Sequence, residues 1–238
     1  MREAAFWGLV TASSLWVGAL LAFLGPGNRF IGLSMAFGAG ALIAAVAYEL
    51  VLDAVETDVQ LAAFGFAMGA AVFYVGDWLV DRRGGHGRKS MGGENQLAGK
   101  ANAIVLGTVL DGIPESFVLG ASIAQDGSVA LAVVIGVFVS NVPEALSGTS
   151  GLLRAGWTRE RVIAMWSVVV LVSVVSSVVG WRLIDVLGTD GGAFATAFAA
   201  GAVIVMLADT LMPEAFELGG REAGLLTALG FAVGFGLS

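Results

Sequence analysis

Leu110-Asp111-Gly112-Ile113-Pro114-Glu115-Ser116 and Val139-Ser140-Asn141-Val142-Pro143-Glu144-Ala145 are two apolar stretches, each with a proline and a glutamate at its centre. A carboxylate in the middle of a membrane helix costs at least about 2.5–3.5 kcal/mol, so two matched copies call for something cationic to compensate them. The surrounding chain has the composition such a setting requires. Of its 238 residues 57% are hydrophobic and only 13% charged, and the mean hydropathy is +0.87, well outside the range of soluble domains.

There is no cysteine and one histidine, His86, which excludes disulfides, thiolate metal sites and any multi-histidine site within one chain. A metal held here must rest mainly on oxygen. The formal net charge is −7, an acidic balance compatible with a high-salt source, and no nucleic-acid partner is expected. The N-terminal apolar run is longer than a signal-peptide core and has no basic flank beyond Arg2, so it reads as a first span.

Apolar runs of about 17–25 residues predict an all-α, polytopic membrane protein: one transmembrane domain, residues 1–238, built as an eight-helix bundle. The expected spans are Ala4 to Leu24, Phe30 to Leu52, Leu61 to Val80, Ala101 to Ala124, Ser128 to Leu152, Val162 to Leu187, Ala193 to Phe216 and Ala223 to Leu237, the last being short. Gly25-Pro26-Gly27, Gln125-Asp126-Gly127 and Gly188-Thr189-Asp190-Gly191-Gly192 mark turns.

Sorting basic residues into alternate connections puts Arg29, Arg82, Arg83, Arg88, Lys89, Lys100, Arg154, Arg159, Arg161 and Arg221 on one side, and only Arg2 and Arg182 on the other. That bias predicts a multi-pass protein of the cell membrane with both termini extracytoplasmic and a cytoplasmic loop at about residues 81–100. The loop is polar and glycine-rich, and His86 within it reads as solvent-exposed rather than as a metal ligand. Asp53, Glu56, Asp58, Asp126, Asp185 and Asp190 fall in the outer connections, where they either form an acidic mouth that concentrates cations or are simply solvated.

Seven acidic residues fall inside the expected spans: Glu49, Asp77, Asp111, Glu115, Glu144, Asp209 and Glu214. Asp111 and Glu115 are four apart and share one face of the fourth helix; Ser140 and Glu144 repeat that spacing on the fifth, where Asn141 adds an amide oxygen. A short connection makes these helices antiparallel neighbours, so their faces can converge on one ion. Pro114 and Pro143 each remove a backbone donor and free the carbonyls of Leu110 and Val139. A third copy, Leu211-Met212-Pro213-Glu214, follows Asp209 in the seventh helix, and Glu49 with Asp53 keeps the acidic spacing in the second; these are candidate pathway residues. Asp77 reads as interfacial. The spacings Gly65 to Gly69 and Gly230 to Gly234 allow close helix packing and make a homodimer interface conceivable.

At these residues the chain resembles the ZIP family of divalent-metal transporters, the zinc-iron permeases or Zrt- and Irt-like proteins. That family carries a His-Asn-x-Pro-Glu-Gly type motif in helix four and a related Pro-Glu motif in helix five. The matching residues are Asp111-Gly112-Ile113-Pro114-Glu115-Ser116 and Ser140-Asn141-Val142-Pro143-Glu144-Ala145. The eight spans, the loop after the third and the Leu-Met-Pro-Glu of the seventh extend the likeness over nearly the whole chain. The resemblance implies a transporter of zinc, iron or manganese, with helices one, four, five and six moving against two, three, seven and eight. Its partners would be the lipid membrane and the transported ion, with no bound cofactor and no enzymatic activity.

The departures predict a change of site. The family's helix-four histidine is Asp111, the following asparagine is Gly112, and the first motif position of helix five is Ser140. Helix six offers Ser173, Ser176 and Ser177 where many members add a glutamate. One principal site is therefore expected, with Asp111, Glu115, Asn141 and Glu144 as ligands and Ser140 lining it. Loss of imidazole moves the preference toward harder ions. Two rival readings use the same residues: a proton-coupled carrier or channel for another solute, and an intramembrane aspartyl-type hydrolase suggested by Tyr74-Val75-Gly76-Asp77.

Overall fold

In lipid a backbone with no internal hydrogen bonds is prohibitively costly, so long apolar runs must form helices or a closed barrel. The computed structural model describes residues 1–80, 82, 97–126 and 129–238, and the side chains of 97–100, 102, 103, 126, 189 and 190 are not considered. The described residues form an all-α bundle without strands. The helices are α1 (Arg2–Ala22), α2 (Asn28–Thr57), α3 (Val59–Val80), α4 (Leu97–Asp126), α5 (Leu131–Arg154), α6 (Arg159–Gly188), α7 (Gly191–Gly219) and α8 (Glu222–Phe235).

Seven of these are long and apolar enough to cross a membrane, and the protein is membrane-embedded. The eighth has 14 residues, about 21 Å of helix against a hydrocarbon core of about 30 Å, shorter than the full crossing that the sequence reading assigned to it. Leu9 and Leu20 on α1, Phe64 and Val72 on α3, Leu171 and Val175 on α6, and Leu225 on α8 are exposed large hydrophobics, the outer surface expected of a protein solvated by lipid tails.

Several boundaries differ from the sequence reading. Helix α2 runs on to Thr57, so Asp53 and Glu56 stand on a helix instead of in a connection. The chain can turn at once because Asp58 caps α3, its Oδ1 accepting from the backbone N–H of Gln60 and Leu61 at 2.9 and 3.0 Å. Helix α4 begins at Leu97, inside the segment expected to be loop. The rest of that expected loop, including His86, lies outside the described residues apart from Arg82, whose guanidinium stacks 3.8 Å over Trp78. Asp77 lies three residues before the end of α3 and is buried against the neighbouring helices. Helices α6 and α7 run almost end to end and are separated at Gly188, whose φ of 70° and ψ of −166° suit glycine.

Close glycine contacts sort the helices into two groups. In the first, Gly8 of α1 faces Ser177 of α6, Gly18 of α1 faces Val142 and Ala145 of α5, and Gly120 of α4 faces Ser177 and Trp181 of α6. In the second, α3 packs on α7 and α2 packs on α8. These two pairs mirror one another: Gly65 and Gly69 of α3 lie against the carbonyls of Phe194 and Phe198, while Gly230 and Gly234 of α8 lie against those of Phe37 and Ala41. Gly201 of α7 returns the contact to Phe66, and Gly40 of α2 returns it to Thr227. Both α2 and α7 then pass through one π-helical segment, Ala47–Val51 and Leu207–Leu211, each with an acid at its third position, Glu49 and Asp209.

Helices α1, α4, α5 and α6 are thus joined by one set of contacts and α2, α3, α7 and α8 by another, while Gly38 and Gly136 pack α2 directly on α5 between the two sets. The principal seam between them is α2 against α5. At its centre Gly38 of α2 sits over the backbone of Ser140, where a Cβ would fall 2.8 Å from Ser140 Cα and 3.0 Å from Val139 O.

Candidate metal centre

Pro114 and Pro143 lie inside continuous helices, buried at mid-span of α4 and α5. A proline leaves the carbonyl four residues earlier without its helical donor. For Pro143 this is Val139, whose oxygen is turned toward Gly38 and the seam between the two units. Near Pro114, the hydroxyl of Ser176 on α6 donates to the Ile113 carbonyl at 2.7 Å.

Two contacts set the register of α4 against α5. Ser140 Oγ lies 3.5 Å from Glu115 Oε1, the outer limit of a hydrogen bond, and a Cβ built on Gly151 would fall 2.9 Å from Ile104 Cδ1. In an antiparallel pair each step up one helix is a step down the other. Asp111 therefore stands level with Glu144, and Thr108 level with Ser147. Glu115, Asp111, Thr108 and Ile104 follow the spacing of one α4 stripe, and Ser140, Glu144, Ser147 and Gly151 that of one α5 stripe. The first two levels are related by a local two-fold: each motif glutamate faces the residue three before the other helix's proline.

Asp111, Glu115, Ser140 and Glu144 are all nearly fully buried, with exposures of 1, 1, 0 and 3%. Four oxygen-bearing side chains at two adjacent levels offer a cation a hard, anionic environment in a low dielectric. Asn141, predicted to join them, turns its amide nitrogen to the Thr11 carbonyl of α1 at 3.5 Å. Among the described residues no three His, Cys, Asp or Glu side chains converge as a closed metal cage.

The helix-six serines knit their own unit together. Ser176 binds α4 as above, Ser177 donates to the Ala4 carbonyl of α1 at 2.9 Å, and Ser173 Oγ lies 3.5 Å from where a Cβ on Gly112 would stand. The pathway candidates fall apart in space. Glu49 lies half-buried in the α2 π-helical segment, and Asp209 is exposed in that of α7. Glu214 is buried and accepts a hydrogen bond from Ser147 of α5, one turn beyond Glu144. Sequence reasoning passed over Ser147 and Thr108, although each continues its motif stripe by three residues.

Apolar layers close the centre on both sides. Toward the helix ends that carry the termini stand Val118, Leu119, Val133 and Val137, all buried in one cluster. Toward the opposite end Ile104 fits against Gly148 and Gly151 beside Trp166 and Leu152. Beyond the first layer a pocket of about 530 Å³ opens among the ends of α2, α4, α6 and α7, lined by Asp53, Glu56, Gln125 and Asp185. Of the six outer carboxylates, which the sequence leaves either as an acidic mouth or as simply solvated, Asp53, Glu56 and Asp185 line one pocket. Asp58 is occupied as a cap, Asp126 and Asp190 have no described side chains, and Asp185 is paired with Arg182 at 2.8 Å.

Comparison with profiles of known protein families and with characterised protein sequences returned no match.

Proposed function

We propose that the protein carries divalent transition-metal cations, zinc, iron(II) or manganese, across the cell membrane by alternating access, as a ZIP-type permease. The observation that carries this reading is the two-fold meeting of the proline-glutamate helices: Glu115 opposite Ser140, Asp111 level with Glu144, all buried at mid-span beside the seam between two helix units. Several carboxylates gathered at membrane depth are costly to keep there and favour binding of a cation. The mirrored α3–α7 and α2–α8 pairs support a carrier, since repeats of opposite orientation around a midplane site are the usual basis of alternating access.

Asp111, Glu115 and Glu144 are the ligands in this account, with Ser140 beside them and Asn141 able to join after releasing Thr11. Both termini face outward, and the acidic pocket at that end gathers cations ahead of the centre. Metal-dependent thermal protection of the purified protein tests the reading. An ion at a hundredfold excess over its Kd stabilises the folded state by about 2.7 kcal/mol. Glu144→Ala should sharply reduce that shift; protection equal to that of the wild type would contradict the assignment.

A further inference from the structure

Thr108 Oγ1 is fully buried on the α4 stripe and has no hydrogen-bond partner. A buried hydroxyl without a partner gives up its hydrogen bonds to water with no return, so it should have a ligand in some state of the protein. Its neighbours indicate which. Level with it on α5 is Ser147, and Ser147 donates to Glu214 of α7. Three oxygen-bearing side chains from three helices therefore stand at one level, a turn beyond that of Asp111 and Glu144: Glu214 bonded to Ser147, and Thr108 level with Ser147 by the helix register. Just past them Ile104 closes against Gly148 and Gly151.

The opposite side of the centre lacks such a set. There the local two-fold puts Val137 and Val118 where Thr108 and Ser147 stand, and the mirrored helix pairs put Asp53 of α2 where Glu214 stands on α7. Asp53 lines an open pocket, whereas Glu214 is enclosed. The polar station exists on one side only.

We propose that Thr108, Ser147 and Glu214 form a second cation position, which takes the divalent ion from the Asp111–Glu144 level on its way out. The proposal rests on the reading of the chain as a divalent-cation carrier. One carboxylate and two hydroxyls make a weaker, more hydrated site than the centre, as release requires. Because Glu214 belongs to the other helix unit, moving the units apart dismantles the position and frees the ion.

The test is manganese(II) binding to the full-length purified protein by equilibrium dialysis, with uptake measured in liposomes. The wild type should hold two ions per chain, Glu214→Gln one, and Glu115→Ala/Glu144→Ala one, the last lost on adding Glu214→Gln. Glu214→Gln should lower the maximal uptake rate about tenfold with little change in half-saturation. Thr108→Val should lower it less, and Thr108→Ser should restore it. One ion in the wild type and none in Glu115→Ala/Glu144→Ala overturns the second position and leaves the centre standing. One ion in that double variant and none in Glu214→Gln overturns the centre instead. No ion in any form overturns both.

Discussion

Ser140 Oγ of α5, which donates to the Val137 carbonyl of its own helix at 3.0 Å, lies 3.5 Å from Glu115 Oε1 of α4, at the level where the Val139 carbonyl faces Gly38 of α2. The contact brings α4 and α5 together at the place where α2 packs on α5. Ser140→Ala should leave the fold intact, lower stability by about 0.5–1.5 kcal/mol, and weaken ion protection without removing it. Thermal unfolding in detergent with and without metal reads both effects.

The seam itself is open to test at Gly38. A side chain there meets backbone at 2.8 Å, not the yielding end of a long side chain. Gly38→Leu should cost about 1–3 kcal/mol by forcing α2 off α5, and should impair uptake more than Gly76→Leu, whose Cβ meets only Leu110 methyls at 3.7 Å or more.

Pro143 keeps the Val139 carbonyl out of the helical ladder. Pro143→Ala returns the missing N–H, so the protein should unfold at a higher temperature while its uptake rate falls. Equal or faster uptake would show that the interrupted helix is not needed for movement.

Asp111 decides selectivity in this account. Asp111→His supplies the imidazole nitrogen that favours zinc, and competition between zinc and manganese in an uptake assay should shift toward zinc. An unchanged profile would remove Asp111 from contact with the ion.

The sequence already carried the helical bundle and the mid-helix place of the two proline-glutamate motifs, because apolar run length and the i to i+4 acid spacing are local properties. Helix ends were harder. Asp53 and Glu56 look like loop residues, and only the Asp58 cap reveals that α2 continues past them. The π-helical segments at Glu49 and Asp209 leave no mark in residue choice. Nor does sequence spacing say that Asn141 turns to Thr11 or that Glu214 reaches Ser147, since both depend on how distant helices pack.

Uptake by purified protein in sealed liposomes, across zinc, manganese, iron(II), cobalt, cadmium and magnesium, tests the central claim most directly. The account predicts saturable entry of at least one transition-metal ion, lost in both Glu115→Ala and Glu144→Ala. No movement of any divalent ion, or normal transport by both variants, would contradict it.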